Sequence, residues 1–216
     1  GKLWREVLLN NIFVLCKSPM AESITRRTLA GYSGANTNIA YIKDLVDKLE
    51  HTKPHKDYDF EKELLQRFNR GKGTMKFTAV VGNPPYQNNT ETNFAKPVYH
   101  LFFEAAKSLE PDYACLIHPA RFLFNAGATP KDWNKQMLND PHLSVPYYEQ
   151  SSQKIFPGVD IMGGICITCW DKNNPSGGLG GLFVGNSELC TMLEKTKPEG
   201  FEEIIMAQIE DKNNKA

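Results

Sequence analysis

A chain of 216 residues with 25 Lys and Arg against 25 Asp and Glu has no formal net charge, so it lacks the global basic footprint of a nucleic-acid binder and any DNA contact must be local. The length suits one sizeable core or a core with a small appendage, and the longest apolar runs, such as "GGICITCW", fall far short of the roughly 20 residues that a membrane span requires. The N-terminal "GKLWREVLLNN" lacks a signal-peptide layout, so a cytoplasmic protein with no membrane association is expected.

In chain order, "NNIFVLC" reads as a strand, and Ser18-Pro19 supply an N-cap and a first-turn proline for the helix "MAESITRRTLAGY". "NIAYIKDLVDKLE" reads as a strand end or a helix start, and "DYDFEKELLQRFNRGKG" as an amphipathic helix with a glycine stop. "FTAVVG" is a β-rich run, read as a buried strand. In "PVYHLFFEAAKSLEP", Val98, Phe102, Ala105 and Leu109 recur at helical spacing. "DYACLIHPARFLF" gives a strand and a turn, "TPKDWNKQMLND" a helix entered through Thr129 and Pro130, and "SVPYYEQ" a strand weakened by its proline.

"GICITCWD" closes the series as a strand that holds Cys166 and Cys169, two of five cysteines. A lone C-x-x-C without a second pair or nearby histidines reads as strand thiols, and no metal site is expected. The alternation of strands and helices predicts an α/β fold with a mainly parallel sheet. From Lys172 the chain turns glycine-rich, which marks a boundary: residues 1–172 form the core, and residues 173–216 are an extension or the start of a further region. There is no internal repeat.

The strand "FTAVVG" runs straight into Asn83-Pro84-Pro85-Tyr86, at the carboxyl edge of the sheet, where open α/β folds bind ligands. Two prolines remove backbone donors and hold the loop extended, leaving a stiff row of acceptors. The Asn83 side-chain oxygen and the Pro84 carbonyl can together accept both hydrogens of an exocyclic amine, and Tyr86 can stack on the ring that carries it. The alternative is a proline turn that only ends a strand.

These residues resemble the adenine-specific DNA methyltransferases of bacterial restriction-modification systems, in which "NPPY" is the catalytic motif. The likeness extends over "PVYHLFFEAAKSLEPDYACLIHPARFLFNAG" and "YYEQSSQKIFPGVDIMGGICITCWDK", roughly Asn10 to Lys172 in all. It implies a Rossmann-like S-adenosylmethionine-dependent fold, and it implies that Asn83, Pro84, Pro85 and Tyr86 hold and stack a flipped adenine of double-stranded DNA. Phe156 would contact the base from its other side, with core packing as an equal alternative. S-adenosylmethionine would be met by Asp44 at its adenine and also by Asn83; an exposed helix charge is the other reading of Asp44.

Two departures stand out. The position that usually carries the ribose-binding acid corresponds to Cys16, whose thiol cannot replace a bidentate carboxylate. No "F-x-G-x-G" donor loop precedes Asn11, and "SGGLGGLFVG" leads into "LFV" instead of a helix, so the fold is expected to lack its first strand. A missing N-terminal segment, a recognition domain or a subunit would then complete the enzyme. The competing expectation is a non-catalytic DNA- or protein-binding fragment with a base pocket but no donor site. Asp160, Asp171 and Lys172 give poor support for a nuclease, and Lys17, Arg26, Arg27, Lys72 and Arg121 are the cations available to line a groove.

Overall fold

The apolar run Phe13–Cys16 forms β1 and pairs in parallel with β2 (Asn38–Tyr41), from Phe13 opposite Asn38 to Cys16 opposite Tyr41. In this computed structural model, residues 1–50, 58–68, 75–88, 96–175, 178–181 and 183–185 are described, and the chain divides into two units, Gly1–His118 and Pro119–Ala216. Parallel strands need a crossover, and α2 (Pro19–Ala30) provides it. Ser18, extended, accepts the Ala21 N–H at 3.1 Å, and Pro19 occupies the first helical position, where its missing donor costs nothing. The helix stops at Gly31 (φ +61°), a backbone angle that glycine adopts without a Cβ penalty.

A helix that the sequence reading missed, α1 (Lys2–Asn10), precedes β1 and ends against Asn38. The buried Asn38 carboxamide donates to the carbonyls of Leu8 (3.3 Å), Leu9 (2.6 Å) and Ile12 (3.2 Å). Leu8 and Leu9 carry acceptors that a helix end leaves unsatisfied, and Ile12 lies just beyond it, so Asn38 ties α1 to the amino end of β2. Beyond β2 come α3 (Leu45–Glu50) and α4 (Phe60–Arg67), the latter capped by Asp59, which accepts the Lys62 N–H at 2.9 Å. Both carboxylate oxygens of Glu63 lie 2.9 Å from Lys48 Nζ, clasping α4 to α3. Ala40, Ile42, Leu64 and Phe68 form the buried core here, joined by Phe13, Leu15, Phe60, Met75 and Leu109. The glycine stop expected after α4 lies outside the described residues.

β3 (Ala79–Gly82) is followed by a two-residue antiparallel pair, β4 (Gln87–Asn88) with β5 (Lys96–Pro97). Then α5 (Tyr99–Ser108) crosses over to β6 (Tyr113–Pro119), which pairs with β3 in parallel, Gly82 opposite Leu116. The buried face of α5 is Tyr99, Phe103 and Ala106 with Ala105, one step from the stripe read in the sequence.

In the second unit a 3₁₀ turn (Arg121–Phe124) leads to α6 (Lys131–Asn139), with Pro130 at its N-cap, and then to β7 (Leu143–Glu149) and β8 (Ile165–Asp171), which pair antiparallel. The weak strand forms, but its register shifts between Ser144 and Tyr147, the stretch that holds Pro146, because proline cannot donate to a ladder. Gly164 (φ +80°) makes the tight entry to β8: a Cβ there would lie 2.8 Å from Gln150 Cα and 2.9 Å from its carbonyl oxygen. The strands are thus mostly parallel and linked by helices, as the α/β expectation has it.

Candidate active site

β3 departs from expectation in its burial. Strands of a parallel sheet are ordinarily covered on both faces, yet Val81 is 73 % exposed and Ala79 and Gly82 are exposed too. The hydrogen bonds fix which backbone groups of β3 face β6. Tyr113 N–H donates to the Thr78 carbonyl at 3.0 Å, and alternation along the strand then turns the backbone of Val80 and Gly82 toward β6 and that of Ala79 and Val81 away from it. Among the described residues no strand pairs with that outer edge.

Asn83 follows directly, exposed, and no group among the described residues bonds its carboxamide. Pro84, Pro85 and Tyr86 are half-buried, and the Tyr86 carbonyl accepts the N–H of the fully buried Val98 at 3.0 Å, immediately before α5. The loop is therefore held at Gly82 by the β3–β6 ladder and at Tyr86 by Val98, with two prolines restricting the backbone between. This geometry presents a free amide oxygen on a stiff support, with an aromatic ring three residues away. It suits a planar ring bearing an amine.

The donor-side residues divide. Cys16 ends β1 at the expected edge but is only 8 % exposed, and its thiol donates to Thr25 Oγ1 at 3.7 Å, which turns it toward α2. Buried and without a second acceptor atom, it does not fit a ribose with two hydroxyls. Asp44 is exposed just past β2, in the left-handed region (φ +54°), which Asp tolerates better than most residues. Its carbonyl accepts the Lys48 N–H at 3.1 Å and opens α3, leaving its carboxylate toward solvent. Asp44 thus keeps an outward carboxylate, whereas the Cys16 thiol is turned inward.

Phe156, in the second unit, is half-buried on a tight turn: Val159 N–H donates to its carbonyl at 3.0 Å across Pro157 and Gly158 (φ +81°). Ser152, buried, fixes that turn, since its hydroxyl donates to the Val159 carbonyl and accepts the Ile161 N–H, both at 2.8 Å. The C-x-x-C reading is half corrected. Cys166 is a buried thiol outside any disulfide, and burial pushes its ionisation far up, whereas Cys169, like Cys115, is disulfide-bonded. Three positions apart on a strand, Cys166 and Cys169 face opposite sides and cannot share a ligand. Among the described residues no three His, Cys, Asp or Glu side chains are grouped to hold a metal, and no helix is long and apolar enough to cross a membrane.

Of the candidate groove cations, Lys17 is exposed and Arg27 lies 5.8 Å from the Tyr32 ring centre. Arg26 is committed to Glu22, Thr37 and the Ile39 carbonyl. Arg121 packs against the positions of Gly127 and Gly163, and Lys72 lies outside the described residues. The sequence reading passed over His118, a histidine inside the apolar strand "YACLIHP". That break in an apolar run is the signal for a group with a specific partner.

Residues 10–156 match a protein-family model described as the Eco57I restriction-modification methylase. A protein of Mycoplasma pneumoniae described as an uncharacterized adenine-specific methylase is 29 % identical over 147 residues, covering 66 % of this chain and 34 % of that protein. The chain therefore spans about a third of the length of this curated relative.

Proposed function

Because the chain belongs to the Eco57I restriction-modification methylase family, we propose that it forms the catalytic core of an adenine-specific DNA methyltransferase, with a Rossmann-like fold, acting in a restriction-modification system. The observation that carries this reading is the Asn83 carboxamide, unbonded among the described residues, on a loop pinned at Gly82 and Tyr86. The substrate is an adenine in double-stranded DNA, extruded so that its amine leaves base pairing. When bound, S-adenosylmethionine supplies an electrophilic methyl group. Asn83 Oδ1 and the Pro84 carbonyl accept the two amine hydrogens and keep the nitrogen lone pair directed outward, while Pro85 stiffens the loop and Tyr86 stacks on the base. Phe156 is assigned as a second base contact, and Asp44 as the residue that meets the donor's adenine. Residues 1–172 are read as the core and 173–216 as an extension toward a recognition region, in a cytoplasmic enzyme. Transfer of labelled methyl from S-adenosylmethionine to adenine in duplex DNA, slowed by about 10- to 150-fold in Asn83→Ala, tests the reading; label appearing on another base would refute it.

A second reading has its own support in the outer edge of β3, unpaired among the described residues, and the inward thiol of Cys16. On that reading the 216 residues hold the base pocket, and a further segment, recognition domain or subunit completes the donor site. Calorimetry decides: S-adenosylmethionine binding to these residues alone refutes it.

A further inference from the structure

We propose that His118 is a positioning residue for the Asn83–Tyr86 loop, acting through the ring of Tyr99; the proposal rests on the methyltransferase reading. Strand positions inside a core favour branched apolar side chains, and an imidazole there carries a desolvation cost. His118 nevertheless has no exposed surface. Its ring lies parallel to that of Tyr99, with centroids 5.0 Å apart and an interplanar angle of 11°, and meets Phe103 edge-on at 6.3 Å and 81°. Such offset and edge geometries are the favoured ones for aromatic pairs.

The location gives the stack its consequence. β3 and β6 run in parallel with Gly82 opposite Leu116, so His118, two residues further along β6, stands at the height at which β3 becomes the proline loop. Tyr99 is the first residue of α5 and directly follows Val98, whose N–H holds the Tyr86 carbonyl at 3.0 Å. A displacement of the imidazole therefore passes to Tyr99, to the first turn of α5, to the Val98 amide and so to Tyr86. Being fully buried, His118 touches neither base nor donor. It sets where Asn83 and Tyr86 stand, and misplacement of a reacting group by about 1 Å costs on the order of a hundredfold in rate.

The test uses the intact methyltransferase with three variants. His118→Leu and Tyr99→Leu break the stack from either side, and Tyr99→Phe keeps it. Two quantities are read: kcat and KM for adenine methylation, and the hydrogen-exchange rate of the Val98 amide. Both leucine variants are expected to lose about tenfold or more in kcat with KM within about twofold, and to speed Val98 exchange, while Tyr99→Phe stays close to wild type in both. Wild-type kcat in both leucine variants, or a Tyr99→Phe variant as impaired as Tyr99→Leu, overturns the proposal. If one leucine variant does not fold, the other decides. A wild-type enzyme that methylates no adenine sinks the function instead; the stack then stands or falls on Val98 exchange, and an unchanged rate in the leucine variants removes it.

Discussion

Replacing Asn83 with alanine should separate catalysis from stability. The residue is exposed and its carboxamide is unbonded among the described residues, so truncation opens no cavity and orphans no partner. Surface changes of that kind stay within about 0.5 kcal/mol, which corresponds to a melting shift of about 1–2 °C for a protein of this size. On the proposed mechanism the same atom accepts a hydrogen from the reacting amine. A hydrogen bond to a group gaining charge is worth about 1.5–3 kcal/mol, and at about 1.36 kcal/mol per decade the loss is about 10- to 150-fold in turnover. The assay is transfer of labelled methyl to adenine in duplex DNA by the intact enzyme, paired with a thermal melt. An alanine variant with undiminished turnover would end the case for Asn83 as the amine holder. A melting point lowered by about 5 °C or more would show that the side chain is structural.

Asn38→Ala removes the donor to three carbonyls at the end of α1; unfolding titration should show a loss of about 2 kcal/mol, the cost of leaving buried acceptors unpaired. At Asp44, which sits at φ +54°, substitution by glycine should leave stability within about 0.5 kcal/mol, because relief of the left-handed backbone offsets glycine's extra chain freedom. Calorimetry should nevertheless register S-adenosylmethionine binding to the intact enzyme weakened by about tenfold or more if Asp44 meets the donor. Burial pushes the Glu63 carboxyl upward, but hydrogen bonds from Lys48, Tyr58 and Arg67 outweigh it and hold the acid below its ordinary value. A lowered folded value means that Glu63 stabilises the protein above the unfolded carboxylate pKa, about 4.3, and that this contribution is lost as pH falls through the folded value. Acid unfolding of Lys48→Met should accordingly begin less steeply than that of the wild type.

What could be read from the sequence was local chemistry, and what could not was long-range. Ser18-Pro19 announces α2 because a cap and a first-turn proline act within one helical turn. Asn83-Pro84-Pro85-Tyr86 announces a stiff acceptor loop for the same reason: proline's constraint belongs to the residue itself. Pro146 weakened the reading of β7 correctly, since the register shifts in the stretch that contains it. The failures are all of another kind. Asn38 shows nothing in sequence of the three carbonyls it serves 26 to 30 residues away. Cys166 and Cys169 look alike in "CITC", but a disulfide depends on a partner brought close by the fold, which spacing along one strand does not encode.

β3 brings the two kinds of information into contact. "FTAVVG" has the composition of a covered strand, yet Val81 is 73 % exposed, and among the described residues no strand pairs with the edge to which Ala79 and Val81 turn their backbone. That edge ends at Asn83. A strand added at that edge would run beside the start of the loop assigned to hold the amine. The stack of His118 on Tyr99 acts on the same loop from the opposite side, through β6 and α5. Among the described residues Asn83 thus stands between a paired flank, β6, and an unpaired one.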